Sequence, residues 1–448
     1  MTNKVSYHSK RSFYLRRSRQ RHLFNSQWIG GAILMIFTIL ALVLANLPFT
    51  REHYHHFLNS DLSFGFGDFI FSKSLEFWIN DTLMVVFFFV VGLEIKREIL
   101  VGQLSDIKNA SLPIAAAIGG MIAPAIIYAI FNRGTEFSGG WGIPMATDIA
   151  FAIGVLSILG NKVPITMKIF LTALAIVDDL GSILVIAIFY TSEINFIMLG
   201  LSLVVLAALW RFNKRNVYNM SYYFIPSILL WILFLYSGVH STIAGVLIAL
   251  TIPSSPRYSK SYFLYKSKFF IEDFRFHDKE GVEVLANEDQ LHDLNASRSI
   301  AHHSISPSQR LEHSLHPFIT FFIMPAFALA NAGVPIHSLS EFNVFASSQT
   351  MGIFFGLIFG KPLGITLLCF VAIKLGLARM PKNTSWPMIM GVAALGGIGF
   401  TMSIFVDNLA FAGTNFIDSG KIAVLLASVC AAIIGCVALN LMGKKKKC

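Results

Sequence analysis

The chain has 448 residues, of which 55% are hydrophobic and only 13% are charged. Soluble proteins carry about 25% charged residues, so this composition excludes a set of soluble domains and predicts about a dozen membrane spans of about 20 residues each. The net charge of +10 would suggest a nucleic-acid partner in a soluble protein, but the basic residues flank apolar stretches and therefore indicate a lipid bilayer and no nucleic acid.

The chain begins with a basic tail, residues 1–27, which holds seven basic residues and no acidic one. The first apolar run is long enough to span a membrane, and no A-x-A cleavage site follows it, so we interpret it as a span and not as a cleaved signal. A short polar link at Ser237–Ser241 separates the seventh span from the eighth. The twelve predicted spans cover residues 28–49, 75–93, 112–131, 142–159, 165–191, 195–210, 222–237, 240–253, 316–335, 351–373, 386–411 and 420–442.

Lysine and arginine are distributed unevenly between the two predicted sides of the membrane. With the N-terminus inside, 30 of the 35 Lys and Arg residues fall on the inner side, four fall on the outer side, and Lys361 lies within a span. Eight of the inner residues belong to one long loop, where charge is less diagnostic, but the bias persists without them. The pattern predicts an even number of spans with both termini in the cytoplasm.

Two segments outside the spans are distinctive. The segment 61–74 alternates around Gly65 and Gly67 and predicts a short β-hairpin on the outer face. Residues 254–312 are polar and of mixed charge, and they are too few and too polar to bury much core. We predict a mobile cytoplasmic insertion at 254–312. The remaining regions are then a first membrane part at 28–253 with spans one to eight, a second at 313–442 with spans nine to twelve, and a basic tail at 443–448.

Four ionisable residues lie in the middle of predicted spans, where each costs about 2.5–3.5 kcal/mol. They are Asp148, Asp178, Asp179 and Lys361. One interpretation is a buried ion-pair network that holds helices in register. The other is a path for ions or protons, and the context of the aspartates favours it.

Asp178 and Asp179 are adjacent in a predicted helix, so their side chains point about 100° apart. One carboxylate can face a cavity while the other faces a neighbouring helix. Two such groups do not ionise independently, and the pair can hold a proton at lower pH and a small hard cation at higher pH. No span offers a His or Cys cluster for a soft metal, and the four cysteines form no CxxC motif. We therefore predict a cation and proton site without a resident cofactor.

Two spans carry residues that interrupt helices. Pro144, Thr147 and Asp148 lie near the middle of the fourth span, and residues 391–403 of the eleventh contain clustered glycines that weaken a helix. Interrupted spans in corresponding halves indicate a transporter site at the bilayer midplane, whereas glycines alone also serve close helix packing. Lys361 either balances one carboxylate or, when neutral, carries a proton itself.

These segments together resemble the NhaA family of sodium/proton antiporters. The stretch GWGIPMATDIAFAIGVLSILGNKVPITMKIFLTALAIVDDLG is similar to the family signature, and WINDTLMVVFFFVVGLEIKRE, SGVHSTIAG, RLEHSLHP, FGKPLGI and GIGFTMSIF resemble other family segments. The resemblance covers about residues 28–442 apart from the insertion. It implies an all-α membrane protein with inverted repeats and two broken, crossing helices, located in a prokaryotic plasma (inner) membrane. It also implies pH-regulated, electrogenic exchange of Na⁺ or Li⁺ for about two H⁺.

The resemblance further implies roles for single residues. Asp179 is similar to the principal cation-binding carboxylate, and Asp178 to its neighbour, which pairs with the lysine that Lys361 matches. Thr147 and Asp148 match the first broken helix, where an acid offsets the helix-end dipoles. Na⁺ is thus expected at Asp178 and Asp179. Cytoplasmic positions linked to pH activation are matched by Glu94, Glu98, Glu312 and His313, and less closely by His240. The hairpin 61–74 matches the family's dimer contact, so a homodimer is expected.

The chain departs from the family pattern in three places. The insertion 254–312 replaces a short loop next to Glu312 and His313, which leaves the pH set-point open. Asp407 is an acid late in the second broken span, where the family pattern has an uncharged residue. We expect it to lie near the outer mouth and to be inert. The long N-terminal tail is expected to bind anionic lipid, at about 1 kcal/mol per basic residue near the surface.

Two other classes of function are less consistent with these residues. A passive cation channel would use charge rings from several subunits, and its flux would persist without an opposing proton gradient. An intramembrane aspartyl protease would need aspartates on two helices, whereas Asp178 and Asp179 are adjacent and the GxGD motif at Gly65–Asp68 lies in a short polar outer segment. The sequence therefore favours a secondary transporter over a channel or an enzyme.

Overall fold

The computed structural model describes residues 27–66, 69–191, 193–278, 287–336, 344–382, 384–414 and 416–443. The predicted tails, apart from Gln27 and Gly443, and the hairpin turn at 67–68 lie outside the described residues. The α-helices are α1 (Gln27–Asn46), α2 (Arg51–Leu58), α3 (Leu75–Phe77), α4 (Met84–Val101), α5 (Ile107–Phe131), α6 (Ile149–Ile158), α7 (Ile165–Phe189), α8 (Phe196–Lys214), α9 (Ser221–Leu235), α10 (Thr242–Thr251), α11 (Lys260–Phe276), α12 (Glu288–His303), α13 (Pro307–Phe318), α14 (Met324–Asn331), α15 (Ser348–Phe355), α16 (Lys361–Lys374), α17 (Trp386–Gly396), α18 (Phe400–Ala410) and α19 (Ile417–Gly443). Three π-helical turns occur at Trp78–Leu83, Ile319–Ile323 and Gly356–Gly360, and 3₁₀ segments occur at Gln103–Ser105, Glu136–Met145, Gly160–Lys162 and Val344–Ala346.

Within the described residues, seven helical stretches are long and apolar enough to cross a membrane, and two bent helix pairs raise the number to nine. Helices cross lipid because they satisfy their own backbone hydrogen bonds. The multi-pass helical membrane protein predicted from composition is therefore confirmed. Helices α9 and α10 are apolar but shorter than a full span, so the complete set of twelve spans and the inverted repeat stay predictions.

A small antiparallel hairpin is the one sheet of the described residues. Strand β1 (Asp61–Phe66) pairs with β2 (Phe69–Ser74), so that Asp61 lies opposite Ser74 and Phe66 opposite Phe69. The hydroxyl oxygens of Ser63 and Ser72 lie 2.8 Å apart across the pair. The predicted hairpin is therefore confirmed.

The chain forms two compact units, one of residues 1–84, 98–191 and 318–448 and the other of residues 85–97 and 192–317. In the second unit, a buried apolar cluster is formed by residues of the four helices α4, α8, α9 and α10 and by Ile252 directly after α10. Gly238, with φ of +83°, makes the turn between α9 and α10, and a Cβ there would lie 2.1 Å from the carbonyl oxygen of Glu193. The cluster comprises Leu93, Leu209, Tyr223, Leu230, Phe234, Ala244, Ile248, Ala249 and Ile252.

In the first unit, α5 and α16 approach each other unusually closely. A Cβ on Gly119 would lie 2.1 Å from the carbonyl oxygen of Gly364, and a Cβ on Gly364 would lie 2.1 Å from that of Gly119. Small residues permit such backbone contact where lipid offers no hydrophobic drive for helix association. This contact places the start of α16, and with it Lys361, inside the unit.

The described part of the insertion, in the second unit, holds the two helices α11 and α12. Its ends lie side by side, because Ser308 N donates a hydrogen bond to Pro253 O at 3.2 Å and Arg257 N donates to His303 O at 3.0 Å. At the end of the insertion away from these bonds, His277 directly after α11 contacts Asp293 of α12, with 2.9 Å between Nδ1 and Oδ2.

The contact between α11 and α12 is expected to weaken as the pH rises. The hydrogen bond that His277 donates to Asp293 raises the pKa of His277, and the negative charges of Asp293, Asp289 and Asp273 add to this effect. A histidine with a raised folded pKa contributes stability that is complete below its unfolded pKa of about 6.5 and is lost as the pH passes the folded pKa. Amide exchange of α11, corrected for the intrinsic pH effect, should accelerate between about pH 6 and pH 8 more in the native chain than in Asp293→Asn. Equal acceleration in both would contradict the prediction.

Candidate ion-binding site

The two interrupted helices of the first unit place their breaks against each other. The 3₁₀ segment Glu136–Met145 is bent by 45° from α6, and α17 is bent by 47° from α18. Asp148 N donates to Ile398 O at 2.8 Å, and Thr147 Oγ1 donates to Gly396 O at 3.0 Å. Each break thus provides partners for polar groups that the other break has freed from helical bonding, and both predicted interruptions are confirmed.

The glycines of the second break also permit close packing. A Cβ on Gly397 would lie 2.5 Å from Leu357 O, and a Cβ on Gly399 would lie 2.1 Å from Ser403 Oγ and 3.2 Å from Ala146 O. Both interpretations of the glycines therefore hold, because they lie where the helix is interrupted and where another backbone approaches.

Asp148 joins the N-terminal ends of two half-helices. Its Oδ1 accepts from Phe151 N of α6 at 2.9 Å, and its Oδ2 accepts from N and Oγ1 of Thr401 of α18 at 3.2 and 2.5 Å. The side chain is 1% exposed. A carboxylate is favoured at this point because both helix ends carry a partial positive charge.

Asp178, on α7, accepts two hydrogen bonds on one oxygen. Lys361 Nζ donates to Asp178 Oδ2 at 2.8 Å, and Thr147 Oγ1, whose one proton is shared with Gly396 O, lies 2.6 Å from the same atom. Asp178 Oδ1 has no hydrogen-bond partner among the described residues. The pair of charges is almost fully buried, each side chain being 1% exposed, so one carboxylate oxygen is left for a further ligand.

Lys361 is held by the backbone as well as by Asp178. Its Nζ donates to the carbonyl oxygen of Met145 at the end of the 3₁₀ segment. The residue directly follows the π-helical turn Gly356–Gly360, a distortion that is frequent at functional sites. Its positive charge also acts on Asp179, which is 1% exposed and lies next to Asp178 on α7.

The structure thus collects all five predicted site residues of the membrane interior in one buried region. Two adjacent carboxylates face one ammonium group, while the helix ends offset the charge of Asp148. The uncompensated negative charge favours a small cation, and the same carboxylates can instead take up protons. Within the described ranges, no three His, Cys, Asp or Glu side chains form a metal-binding group.

Thr401 and the carbonyl oxygens of Met145 and Gly396 contribute to this region without having been predicted. Thr401 lies in the glycine-rich segment that predicted the second break, which was the one signal for it. The carbonyl oxygens carry no sequence signal, because every residue has one.

The residues predicted for pH activation lie in α4 and α13. Glu312 is buried and forms an ion pair with Arg97 in the second unit, while His313 is exposed. Glu98 Oε2 accepts from Gln103 N at 2.9 Å at the end of α4, and Glu94 lies one turn earlier, half-buried. The weaker candidate, His240, contacts Thr242 Oγ1 at 2.7 Å at the start of α10.

Comparison with known proteins adds an independent line of evidence. The family model for Na⁺/H⁺ antiporter 1 matches residues 21–439. The chain is 46% identical to the protein named Na(+)/H(+) antiporter NhaA of Oleidesulfovibrio alaskensis, over 93% of this chain and 92% of that protein. Proteins of the same name from Wolinella succinogenes and Sulfurimonas denitrificans are each 45% identical, over 95% and 94% of this chain and 94% of each relative.

Proposed function

The chain belongs to the Na⁺/H⁺ antiporter 1 family, and on this premise we propose that it exports one Na⁺ or Li⁺ in exchange for about two H⁺ across a bacterial plasma membrane. It is a transporter and not an enzyme. The observation that supports the proposal most is the buried pair Asp178 and Asp179 beside Lys361, at the point where two broken helices meet.

Competition between Na⁺ and protons for Asp178 and Asp179 is the proposed mechanism. The oxygen atoms of the two carboxylates and of Thr147 are the hard ligands that such a cation prefers. Lys361 compensates Asp178 when no cation is bound, and a cation that binds Asp178 competes with this ammonium group. The second proton is carried either by Asp178 or by Lys361.

Exchange of two protons for one Na⁺ moves one net charge per cycle. The membrane potential then drives Na⁺ out with about 2.3 kcal/mol per charge per 100 mV. At acid pH the carboxylates stay protonated and transport stops. Asp148 holds the two breaks together through Thr401, so that movement at one break is transmitted to the other while the site opens to one side at a time.

The remaining parts of the proposal follow the family pattern. They are twelve spans in an inverted repeat, both termini in the cytoplasm, a homodimer through the hairpin 61–74, and pH control by Glu94, Glu98, Glu312 and His313. The ion pair of Glu312 with Arg97 joins α13 to α4, and it supports a regulatory role because protonation of Glu312 would remove this attraction between the two helices.

The test is the collapse of ΔpH that Na⁺ or Li⁺ induces in everted membrane vesicles from cells that lack other antiporters. We expect collapse that rises from about pH 6 to about pH 9 and that depends on the membrane potential. Na⁺ flux without proton movement would favour a passive channel instead. No collapse at any pH, with folded protein in the membrane, would contradict the proposal.

A further inference from the structure

A second buried carboxylate lies in the first unit, outside the site described above. Asp407 of α18 is 0% exposed, and neither of its carboxylate oxygens has a hydrogen-bond partner among the described residues. Gly420 of α19 leaves the space that the group fills, since a Cβ there would lie 2.3 Å from Oδ1 and 2.5 Å from Oδ2. Buried polar groups without partners are rare in proteins and require an explanation.

One polar neighbour of Asp407 is shared with other groups. The amide of Gln349 of α15 lies beside the carboxylate and acts on it, while its Nε2 donates to Phe416 O at 3.2 Å and its Oε1 accepts from Ser419 Oγ at 3.0 Å. Among the described residues no hydrogen bond of ordinary geometry joins Gln349 to Asp407, so the amide does not hold the carboxylate in a fixed position.

The titratable groups that act on Asp407 come from three other elements. They are Lys421 and Asp418 of α19, Tyr128 of α5, and Tyr190 directly after α7. The tyrosine hydroxyls donate to Phe137 O at 2.8 Å and to Gly139 O at 2.9 Å. Lys421 is the basic member of this set, and it is 8% exposed.

Asp407 lies between the surface and the break of its own helix. Residues 412–414, a few positions further along the chain, are exposed. In the other direction, Ser403 lies one turn earlier on the same face of α18 and donates to Ile143 O at 2.8 Å. Thr401, which holds Asp148, is about 9 Å from Asp407 along the helix axis. Two polar side chains of α18 therefore lie between Asp407 and the break, Ser403 one turn away on the same face and Thr401 two residues further on another face.

We propose that Asp407 is a second proton-carrying carboxylate, which transfers protons between the surface near residues 412–414 and the site at the break. The proposal rests on the proposed function. Water at the surface gives a proton to one carboxylate oxygen, which yields the neutral acid, and the acid returns that proton to water on the side of Ser403. Lys421 offsets the negative charge that remains. A proton needs one oxygen, whereas a hard cation gathers several oxygen ligands, so this position suits a proton and not Na⁺.

The first test compares Asp407→Asn with the native chain and with Asp106→Asn, which makes the same change at an exposed aspartate before α5. The amide keeps the size of the side chain but cannot exchange a proton. We expect normal insertion in the membrane, a maximal rate of Na⁺-induced ΔpH collapse lowered about tenfold, and a pH of half-activation shifted by about one unit. Asp106→Asn should behave as the native chain, because asparagine also caps a helix. A native rate and pH profile in Asp407→Asn would overturn the proposal.

A second measurement needs no variant. Hydrophobic carbodiimides react with protonated carboxyl groups in apolar surroundings, so labelling of Asp407 in the native chain, read by peptide mass spectrometry, should fall as the pH rises. Labelling that is constant or absent over the active pH range would overturn the proposal even if Asp407→Asn did not fold.

If the native chain exchanges no Na⁺ for H⁺ at all, the proposed function fails and the proposal for Asp407 fails with it. Native exchange with unchanging Asp407 labelling rejects the proposal for Asp407 alone.

Discussion

Asp179→Asn is expected to abolish ΔpH collapse at the Na⁺ concentrations that saturate the native chain, while the protein still folds and enters the membrane. Asparagine has nearly the same shape but neither balances the charge of Na⁺ nor releases a proton. The loss of one charge from a buried charge pair costs about 2–5 kcal/mol of binding free energy. The apparent affinity for Na⁺ should therefore fall by a factor between about 30 and several thousand. The measurement is the Na⁺ concentration that gives half-maximal collapse at the most active pH.

Asp106→Asn is the matched control, because it makes the same chemical change at an exposed position before α5. Its Na⁺ dependence should equal that of the native chain. Collapse that survives in Asp179→Asn would keep the exchange activity but place the cation elsewhere, with Asp178→Asn as the next variant to measure.

Lys361→Met is expected to lower both stability and transport. Methionine fills a similar volume, but it leaves Asp178 as a buried carboxylate whose one remaining donor in the described contacts is Thr147. Breaking a buried ion pair by removing one partner costs about 3–5 kcal/mol. The midpoint of thermal unfolding in detergent should therefore fall clearly below that of the native chain and below that of Lys374→Met, which removes an exposed lysine at the other end of α16.

A second substitution separates charge compensation from packing. Adding Asp178→Asn to Lys361→Met removes the uncompensated carboxylate, so the double variant should recover much of the stability while transport stays absent. If the effects of Lys361→Met and Asp178→Asn on the free energy of unfolding simply add in the double variant, Asp178 and Lys361 do not interact. That result would contradict the contact of 2.8 Å between them.

The parts of the site that were predictable from sequence are those that are conspicuous in lipid. A charge in an apolar span is costly, so Asp148, Asp178, Asp179 and Lys361 were evident in sequence, and prolines and glycines marked both breaks. The contact between Asp148 and Thr401 was not predictable, because the two residues are 253 positions apart and packing alone brings them together.

The insertion shows the other limit of prediction. Its composition predicted a polar segment, but the hydrogen bonds that join its two ends, from Ser308 to Pro253 and from Arg257 to His303, follow from backbone geometry and leave no trace in the choice of side chains. The full burial of Asp407 was also not predictable, because the space for its side chain comes from Gly420 on another helix.

The joined ends of the insertion also make it a convenient point for protein engineering. The chain leaves and re-enters the fold at neighbouring residues. The entropic cost of closing a loop between such points rises only slowly as the loop becomes longer. A rigid soluble domain with adjacent termini could therefore replace residues between 254 and 307 without pulling α10 and α13 apart. Such a fusion would give particles of a small membrane protein an external marker for alignment in electron cryomicroscopy.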